Sequence, residues 1–195
     1  LVDVEAIQYN NKFVQLVSRE KSIDIDGDGT DDTVVKVDGS TNILAPTSGS
    51  EALAHILDGG DGADVITGGT AGDTLIGGAG ADLLKGGTNT GTAPDGTPSA
   101  DVAVYFGTSV ATTSTAATYT VTQVYAIENA NGTAAATAAT HFYSSSSAAS
   151  AALSSGQKVV NAFTVSDGSS TDLLVGVELI EFTDSVVQAA QTSST

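Results

Sequence analysis

The amino-acid sequence predicts an all-β protein built around a short parallel β-solenoid. Three observations lead to this prediction. Pairs of glycines recur at positions 59, 68, 77 and 86, so the repeat has a period of nine. Each period also carries an aspartate and an aliphatic residue at fixed places, which is typical of a solenoid repeat and not of a flexible linker. Outside the repeats, several short segments alternate apolar and polar residues with the period of a half-buried strand.

The three clear repeats read GGDGADVIT (59–67), GGTAGDTLI (68–76) and GGAGADLLK (77–85). Glycines at the first, second and usually fourth places favour a tight turn with left-handed dihedral angles. The last three places then form a very short strand whose eighth-place residue points inward. Two successive repeats are expected to complete one turn of the coil. The sixth place holds Asp64, Asp73 and Asp82, and the eighth holds Ile66, Leu75 and Leu84.

The repeat pattern weakens at both ends. Residues 50–58 keep an apolar eighth place, Leu57, but carry His55 where the aspartate belongs, which is typical of a degenerate capping coil. After Gly87 the period breaks into a loop rich in Thr, Gly and Pro. Strand character then returns with DVAVYF at 101–106.

Composition excludes several classes of function. The 195 residues include 23 Asp and Glu against 6 Lys and Arg, a formal charge of −17. Such a surface repels nucleic acid and anionic lipid and attracts cations. With no Cys and two isolated His, a zinc site is not expected. The chain has no apolar run long enough for membrane insertion, and it begins at Leu1 without a signal peptide, which suggests a processed chain or a fragment.

The turns of the repeats offer the chemistry of a calcium site. Tight glycine turns aim backbone carbonyls inward, and the sixth-place aspartate adds a carboxylate. Turns two repeats apart stack, so they can share a hard cation in a cage made only of oxygen atoms. The predicted cofactor is therefore Ca²⁺.

This pattern resembles the RTX, or haemolysin-type calcium-binding, repeat of secreted bacterial proteins, and the resemblance is strong over 59–87. It implies that each calcium takes carbonyls at the second and fourth places and the aspartate of one repeat. Carbonyls at the first and third places and the aspartate two repeats on complete the set. One complete site would use Gly60, Gly62, Asp64, Gly77, Ala79 and Asp82.

A second site implied by the resemblance is less regular. The place of its final aspartate holds Gly91, and Asp101 is the residue that could substitute beyond the loop. Its repeat also has Ala71 at the fourth place and Gly72 at the fifth, so a looser turn is expected. The other ligands would be Gly69, Ala71, Asp73, Gly86 and Thr88.

The resemblance further implies a right-handed parallel β-roll flanked by antiparallel β-strands. Closing segments of such rolls look like Asp101 to Tyr105, Tyr119 to Val121 and Asp172 to Phe182 in this chain. The predicted division is a hairpin region at 1–46, the roll with its caps at 47–106, and a β-rich capping region at 107–195.

The capping region contains an insertion. Strands are predicted at 119–125 and 159–165 from their β-branched content and alternation. The Ala, Ser and Thr-rich tract at 126–157 lies between them. A short helix over 134–142, followed by a loose loop, is predicted there.

An acidic segment, DIDGDGTDD at 24–32, is a separate candidate calcium site. It is not an EF-hand, because the bidentate Glu of that loop is replaced by Val35. A calcium-tightened turn between strands at 13–25 and 33–37 is predicted, and a solvated acidic turn is the alternative. The candidate ligands are Asp24, Asp26, Asp28, Asp32 and the carbonyl of Thr30.

The two ends of the chain carry copies of one element. Val4-Glu5-x-Ile7-x-Tyr9 with Val14-Gln15 matches Val177-Glu178-x-Ile180-x-Phe182 with Val187-Gln188, and the offset is the same for every matched pair. If the second copy closes a module, the first closes the module before it. The match therefore predicts neighbouring modules of the same protein, or self-association, as partners.

The sequence carries none of the motifs HExxH, G-x-S-x-G or a P-loop lysine. We expect a non-catalytic calcium-binding structural module of a secreted bacterial cell-surface protein, of the surface-layer or adhesin type, that folds on extracellular calcium. The resemblance implies type I secretion, and cell-surface polysaccharide is a further candidate partner. The main alternative is the C-terminal folding module of a secreted protease or lipase, and a self-assembling lattice or filament is a third.

Overall fold

The computed structural model describes residues 6–9, 12–15, 21–23, 32–34, 43–45, 54–90, 99–106, 108–109, 118–129, 139–183 and 185–189. This part of the chain is mostly β-structure with one short helix, so the predicted all-β class is confirmed. The elements are β1 (Ala6–Tyr9), β2 (Lys12–Gln15), β3 (Lys21–Ile23), β4 (Asp32–Val34), β5 (Ile43–Leu44), β6 (Ile56–Asp58), β7 (Val65–Thr67), β8 (Thr74–Ile76), β9 (Leu83–Lys85), β10 (Val102–Val104), β11 (Thr108–Ser109), β12 (Thr118–Asn129), α1 (Ser146–Ala151), β13 (Gln157–Ser166), β14 (Thr171–Val175), β15 (Leu179–Glu181) and β16 (Val186–Gln188).

Two larger sheets organise the described residues, and both mix parallel and antiparallel pairs. Sheet I has five strands in the order β16-β15-β10-β8-β6, and sheet II has seven in the order β11-β12-β13-β14-β9-β7-β5. From β5 to β10, successive strands alternate between the two sheets. The chain therefore crosses from one sheet to the other at every glycine turn.

The repeats pair with the spacing that the sequence predicts. In sheet I, Leu57 lies opposite Leu75, and in sheet II Ile66 lies opposite Leu84, both in parallel pairs. Each pair joins residues that are two repeats apart. A three-residue strand has too few hydrogen bonds to be stable alone, so this stacking is what makes these strands possible.

The segment after the repeats continues the same sheets. Ala103 of β10 lies opposite Leu75, and Leu174 of β14 lies opposite Leu84, both in parallel. Ile180 of β15 then lies opposite Ala103. Strand pairing thus crosses both predicted domain boundaries, since β5 joins β7 and β14 joins β9. The boundaries themselves stay predictions.

The main core lies between the two sheets. The predicted eighth-place residues Ile66, Leu75 and Leu84 are all fully buried, as is Leu57. Burial of one such side chain contributes about 1.5 to 3 kcal/mol, so a column of them can hold the short strands together. One core cluster contains Leu44, Leu57, Ile66, Leu75, Leu84, Ala103, Leu174 and Ile180.

The antiparallel region is a long hairpin of β12 and β13, which pair from Thr120 opposite Ser166 to Asn129 opposite Gln157. The strands predicted at 119–125 and 159–165 are confirmed and are longer than predicted. This hairpin is part of sheet II, and a second apolar cluster runs across four neighbouring strands of that sheet, with Val124, Ala162, Leu173 and Leu83 among its members.

The predicted helix over 134–142 is wrong. Residues 139–142 are not helical, 134–138 lie outside the described residues, and the helix is Ser146–Ala151, where a loose loop was expected. The reason is the cap: the Ser145 side chain accepts a hydrogen bond from the Ala148 N–H, and alanines follow. The serine run begins the helix because serine is a good N-cap, although it is not a strong helix former.

The N-terminal strands form two separate hairpins, β1 with β2 and β3 with β4. Within the strand predicted at 13–25, the described parts β2 and β3 pair with different partners, and residues 16–20, 24 and 25 lie outside the described ranges. Ile23 lies opposite Asp32 in the second hairpin, so the acidic segment does connect two antiparallel strands. Of its candidate ligands, Asp24, Asp26, Asp28 and Thr30 lie outside the described residues.

Candidate functional site: two columns of buried carboxylates

Among the described residues, five aspartates are almost completely buried, although the chain carries a strong negative charge. Asp82 and Asp101 have no exposed surface, and the other three are at most 5% exposed: Asp64, Asp73 and Asp172. Four of the five stand one residue before a short strand, and Asp172 is the second residue of β14. Burial of a carboxylate is costly unless it is hydrogen-bonded or paired with a cation, so these positions need an explanation.

A ladder of backbone hydrogen bonds links these aspartates into two columns. The first, the Asp64 column, contains Asp64, Asp82 and Asp172. The Asp64 N–H donates to Asp82 Oδ1 at 2.8 Å, and the Asp82 N–H donates to Asp172 Oδ1 at 2.8 Å. Each carboxylate therefore accepts from the residue at the same place one turn earlier.

The second, the Asp73 column, contains His55, Asp73, Asp101 and Glu178. The His55 N–H donates to Asp73 Oδ1 at 2.7 Å, and the Asp73 N–H donates to Asp101 Oδ1 at 2.8 Å. The Asp101 N–H donates to Glu178 Oε2 at 2.8 Å. His55 thus occupies the aspartate place of its coil, as the sequence predicts, and its Nδ1 lies 3.1 Å from Asp73 Oδ1.

Glycines make room for these carboxylates. A Cβ on Gly77 would collide with Asp82 Oδ2, and one on Gly68 would collide with Asp73 Oδ2. Gly78 and Gly80 have φ of +100° and +137°, and a Cβ on either would collide with a carbonyl of the turn stacked against it. The first-place glycine and the sixth-place aspartate are therefore a matched pair, which explains why the repeat fixes both.

The residues of the first predicted calcium site come together. The turn at 59–64 stacks directly on the turn at 77–82. The Gly62 N–H donates to the Ala79 carbonyl at 2.8 Å, and the Ala79 N–H donates to the Gly60 carbonyl at 2.9 Å. Each of these carbonyls keeps a second lone pair, so it can still face a cation.

The residues of the second predicted site also come together, across the loop. The Thr88 N–H donates to the Gly69 carbonyl at 3.4 Å, and Asp101 accepts from Asp73. Asp101 therefore takes the place of the missing aspartate, as the sequence suggests. It is 28 positions from Asp73, whereas two repeats would span 18. Gly72, the irregular residue of this repeat, faces the backbone of Ala100, and a Cβ there would lie 2.6 Å from the Ala100 carbonyl.

Four functional candidates were not assigned as site residues from the sequence. Asp172 and Glu178 extend the two columns from the closing segment. Asn89 bridges the end of the Asp73 column, because its Nδ2 donates to Asp101 Oδ2 at 3.0 Å and to Glu178 Oε2 at 2.8 Å. Tyr105 donates its hydroxyl to Asp172 Oδ2 at 2.9 Å. In the sequence, Asp172 and Glu178 can be recognised only as acidic residues at the start of a strand, because both lie outside the nine-residue repeats.

The columns concentrate charge that water cannot stabilise. Burial raises the pKa of Asp82 to about 6, and the neighbouring Asp64 carboxylate adds to the rise. Burial also raises the pKa of Asp101 to about 7, with Glu178 and Asp73 contributing repulsion, and that of Asp172 to about 7. Burial raises the pKa of Glu178 as well. These carboxyls therefore hold protons more tightly than exposed ones when no cation is bound.

Three buried side-chain atoms in or beside the columns lack a hydrogen-bond partner among the described residues: Asp82 Oδ2, His55 Nε2 and Asn89 Oδ1. Such orphaned atoms are rare in folded proteins and often mark a bound ion or water. Within the described ranges, no three acidic or histidine side chains are grouped so that they could hold a metal by themselves. A cation between the turns would therefore depend on backbone carbonyls as well as carboxylates.

Comparison of the chain with known protein families, with curated proteins and with solved structures finds no match. Across the part of the chain that the structure describes, no helix has the length and apolar character needed to cross a membrane. The functional argument therefore depends on the geometry of the columns and turns.

Proposed function

We propose that this chain is a non-catalytic calcium-binding structural module whose glycine turns form a right-handed parallel β-roll of the RTX type. The single observation that supports this most is the stacking of glycine turns two repeats apart around buried carboxylates. Asp82 is the sharpest case, because its Oδ2 is fully buried and accepts no hydrogen bond from any described residue.

The donor set fits calcium. Every group assigned to the first site is an oxygen donor, either a backbone carbonyl or a carboxylate, and calcium prefers six to eight oxygens. Bound calcium would supply the positive charge that the buried carboxylates need. Gly60, Gly62, Asp64, Gly77, Ala79 and Asp82 would hold one ion, and Gly69, Ala71, Asp73, Gly86, Thr88 and Asp101 a second.

A cation requirement also fits the whole chain. With a formal charge of −17, carboxylates repel one another in the folded state, and this repulsion opposes closure of the turns. A ligand that binds only the folded state stabilises it by about 4 kcal/mol at a thousandfold excess over its Kd. Calcium would therefore shift the module further toward its folded state in a calcium-rich environment.

The proposed context is a secreted bacterial cell-surface protein of the surface-layer or adhesin type. The matched elements at the two ends favour this context over the accessory module of a protease or lipase, because they suggest repetition of the unit. In this role calcium sets the stiffness and stability of the module, and the chain performs no chemistry.

Circular dichroism and thermal unfolding test the proposal on the full chain. Excess chelator is expected to lower the β-sheet signal and the unfolding midpoint, and added Ca²⁺ is expected to restore both, whereas equimolar Mg²⁺ restores them poorly. Asp82→Asn should reduce the calcium response, and Asp167→Asn, which removes the same charge at an exposed turn, is the matched control. An unchanged signal and midpoint in excess chelator and after calcium addition would overturn the proposal.

A further inference from the structure

The two hairpins at the ends of the chain share one backbone register. In the β1–β2 hairpin Ile7 lies opposite Val14, and in the β15–β16 hairpin Ile180 lies opposite Val187. The remaining pairs of β15 and β16 are related to those of β1 and β2 by the same constant offset in sequence. The sequence match therefore extends to the way in which the strands pair.

The C-terminal hairpin has a well-defined docking surface, the edge of β10. Leu179 lies opposite Val102 in a parallel pair, and its N–H donates to the Asp101 carbonyl at 3.0 Å. Ile180 is fully buried in the main core. Phe182 packs against Tyr105 with ring centroids 5.6 Å apart. Backbone pairing and apolar burial together hold this hairpin on β10.

The N-terminal hairpin has no strand partner of this kind among the described residues. β1 and β2 form a two-stranded sheet of their own. An isolated hairpin is marginally stable in water, and its open edges are association sites. The sequence nevertheless keeps the features used by the C-terminal copy: Ile7 corresponds to Ile180, and the aromatic Tyr9 corresponds to Phe182.

We propose that the β1–β2 hairpin docks on the β10 edge of a second copy of this unit whose own β15–β16 hairpin does not cover that edge. It adds as a parallel strand beside Val102–Val104, with Ala6 opposite Val102, in the register that Leu179 uses. In a tandem array, the β1–β2 hairpin would itself take the β15–β16 position of the preceding module. This inference goes beyond calcium binding, because it depends only on strand register and apolar alternation.

A pair of chimeras tests whether the two hairpins are interchangeable. In the first, residues 177–188 of the full chain are replaced by the sequence of residues 4–15, VEAIQYNNKFVQ, which keeps the register. In the matched control they are replaced by residues 5–16, EAIQYNNKFVQL, which shifts it by one residue and puts a glutamine at the buried position of Ile180. A one-residue slip reverses the two faces of a strand.

The in-register chimera is expected to unfold within about 5 °C of the parent, and the shifted one about 10 °C lower or more. Both are measured with chelator and with calcium, so the comparison does not depend on whether calcium binds. Equal loss of stability in the two chimeras would overturn the proposal.

Disulfide capture tests the docking between copies. The chain has no cysteine, so any disulfide must form between the cysteines introduced by substitution. One full chain carries Val102→Cys with Ile180→Asp, which undocks its own β15, and a second carries Ala6→Cys. Oxidation should link them at least tenfold more than the same mixture with Val104→Cys in place of Val102→Cys. Equal disulfide formation with Cys at position 102 and at position 104 would overturn docking on a second copy. So would a lack of disulfide formation when the chain that carries Ile180→Asp is folded. If that chain does not fold, the comparison of the two chimeras decides.

Discussion

The segment 54–90 and the closing segments at 99–106 and 171–182 build the same columns by different means. In the first, the aspartate places are separated by 18 positions along each column, and a nine-residue repeat encodes that spacing. In the closing segments, the equivalent hydrogen bonds from a backbone N–H to a carboxylate join residues that are 28, 90 and 77 positions apart, and none of these separations equals two nine-residue repeats. A place in a column therefore does not require the nine-residue period.

The shared chemistry has three parts. An acid stands at or just before the start of a short strand, and a buried aliphatic residue follows two places later. At Asp64, Asp73, Asp82 and Asp101, a glycine also leaves space for the acid. Asp101 illustrates this well. It is followed by the buried Ala103, and its Oδ2 lies against Gly86, a first-place glycine from the repeat region. The difference between the regions teaches that a column can continue across a long stretch of chain that contains no repeat.

The largest expected difference in the free energy of unfolding is between alanine variants of two glycines with positive φ. Gly80→Ala would drive a Cβ into the Gly62 carbonyl of the stacked turn, and the free energy of unfolding should fall by about 3 kcal/mol or more. Gly168 also has a positive φ, +89° against +137° at Gly80, but no atom lies within 4 Å of a Cβ there, so Gly168→Ala should cost about 1 kcal/mol. Urea unfolding of both variants measures the difference, and equal losses would contradict the stacking of the turns.

The next expected effect compares the two regions directly. Leu84→Ala in a repeat and Leu174→Ala in the closing segment each remove a buried residue of one core cluster, from positions opposite each other. Each should lower the free energy of unfolding by about 2 to 5 kcal/mol in a single cooperative transition. Ile43→Ala, at an 83% exposed position, is the control and should change it by less than about 0.5 kcal/mol. A separate second transition in Leu174→Ala would mean that the closing segment folds apart from the repeats.

A smaller effect is expected from Tyr105→Phe. The variant removes the hydroxyl that donates to Asp172 Oδ2, so it leaves a buried acceptor unsatisfied at a cost of about 1 to 3 kcal/mol. Tyr143→Phe, at a half-buried tyrosine outside the columns, is the matched control. Chemical unfolding in chelator measures both, and a neutral Tyr105→Phe would indicate that Asp172 is satisfied without the hydroxyl.

The smallest expected effect is on pH dependence in the absence of calcium. The folded-state pKa of Asp101 is raised to about 7 from an ordinary value near 3.8. Its contribution to stability is therefore full below about pH 4 and is lost as the pH rises through 7. We expect the unfolding midpoint in chelator to fall between pH 5 and pH 8, and Asp101→Asn to flatten this slope.

Asp167→Asn is the control for this pH dependence. Hydrogen bonds from Ser170 and Ser169 lower the pKa of Asp167, so its contribution has the opposite sign and is lost as the pH falls through that lowered pKa. Its removal should leave the fall between pH 5 and pH 8 in place. A midpoint that rises over this range in the parent chain would contradict the account of the columns.

Much of the repeat region could be predicted from its sequence. The nine-residue period puts the glycines in turns and the apolar residues in strands. It therefore predicts the strands at the last three places, the burial of the eighth-place residues and the stacking of turns two repeats apart. His55 in an aspartate place was predicted for the same reason.

The rest could not be predicted because it depends on contacts between residues far apart in sequence. Asp172 and Glu178 join the columns only because β14 and β15 pair with β9 and β10, and no local pattern encodes those partners. The helix at Ser146–Ala151 depended on one serine cap within a run of serines, where propensity alone favours neither state. Apolar alternation over 13–25 likewise does not reveal that β2 and β3 pair with different strands.

The most direct test of the central claim is the shift in thermal unfolding midpoint that saturating calcium causes in three full-length variants. If repeat and closing residues form one set of calcium-dependent columns, Asp82→Asn and Asp101→Asn should each lose a substantial part of the parent's shift, and Asp167→Asn should keep it. Loss in Asp82→Asn alone would confine calcium binding to the repeats. An unchanged shift in both column variants would contradict the account.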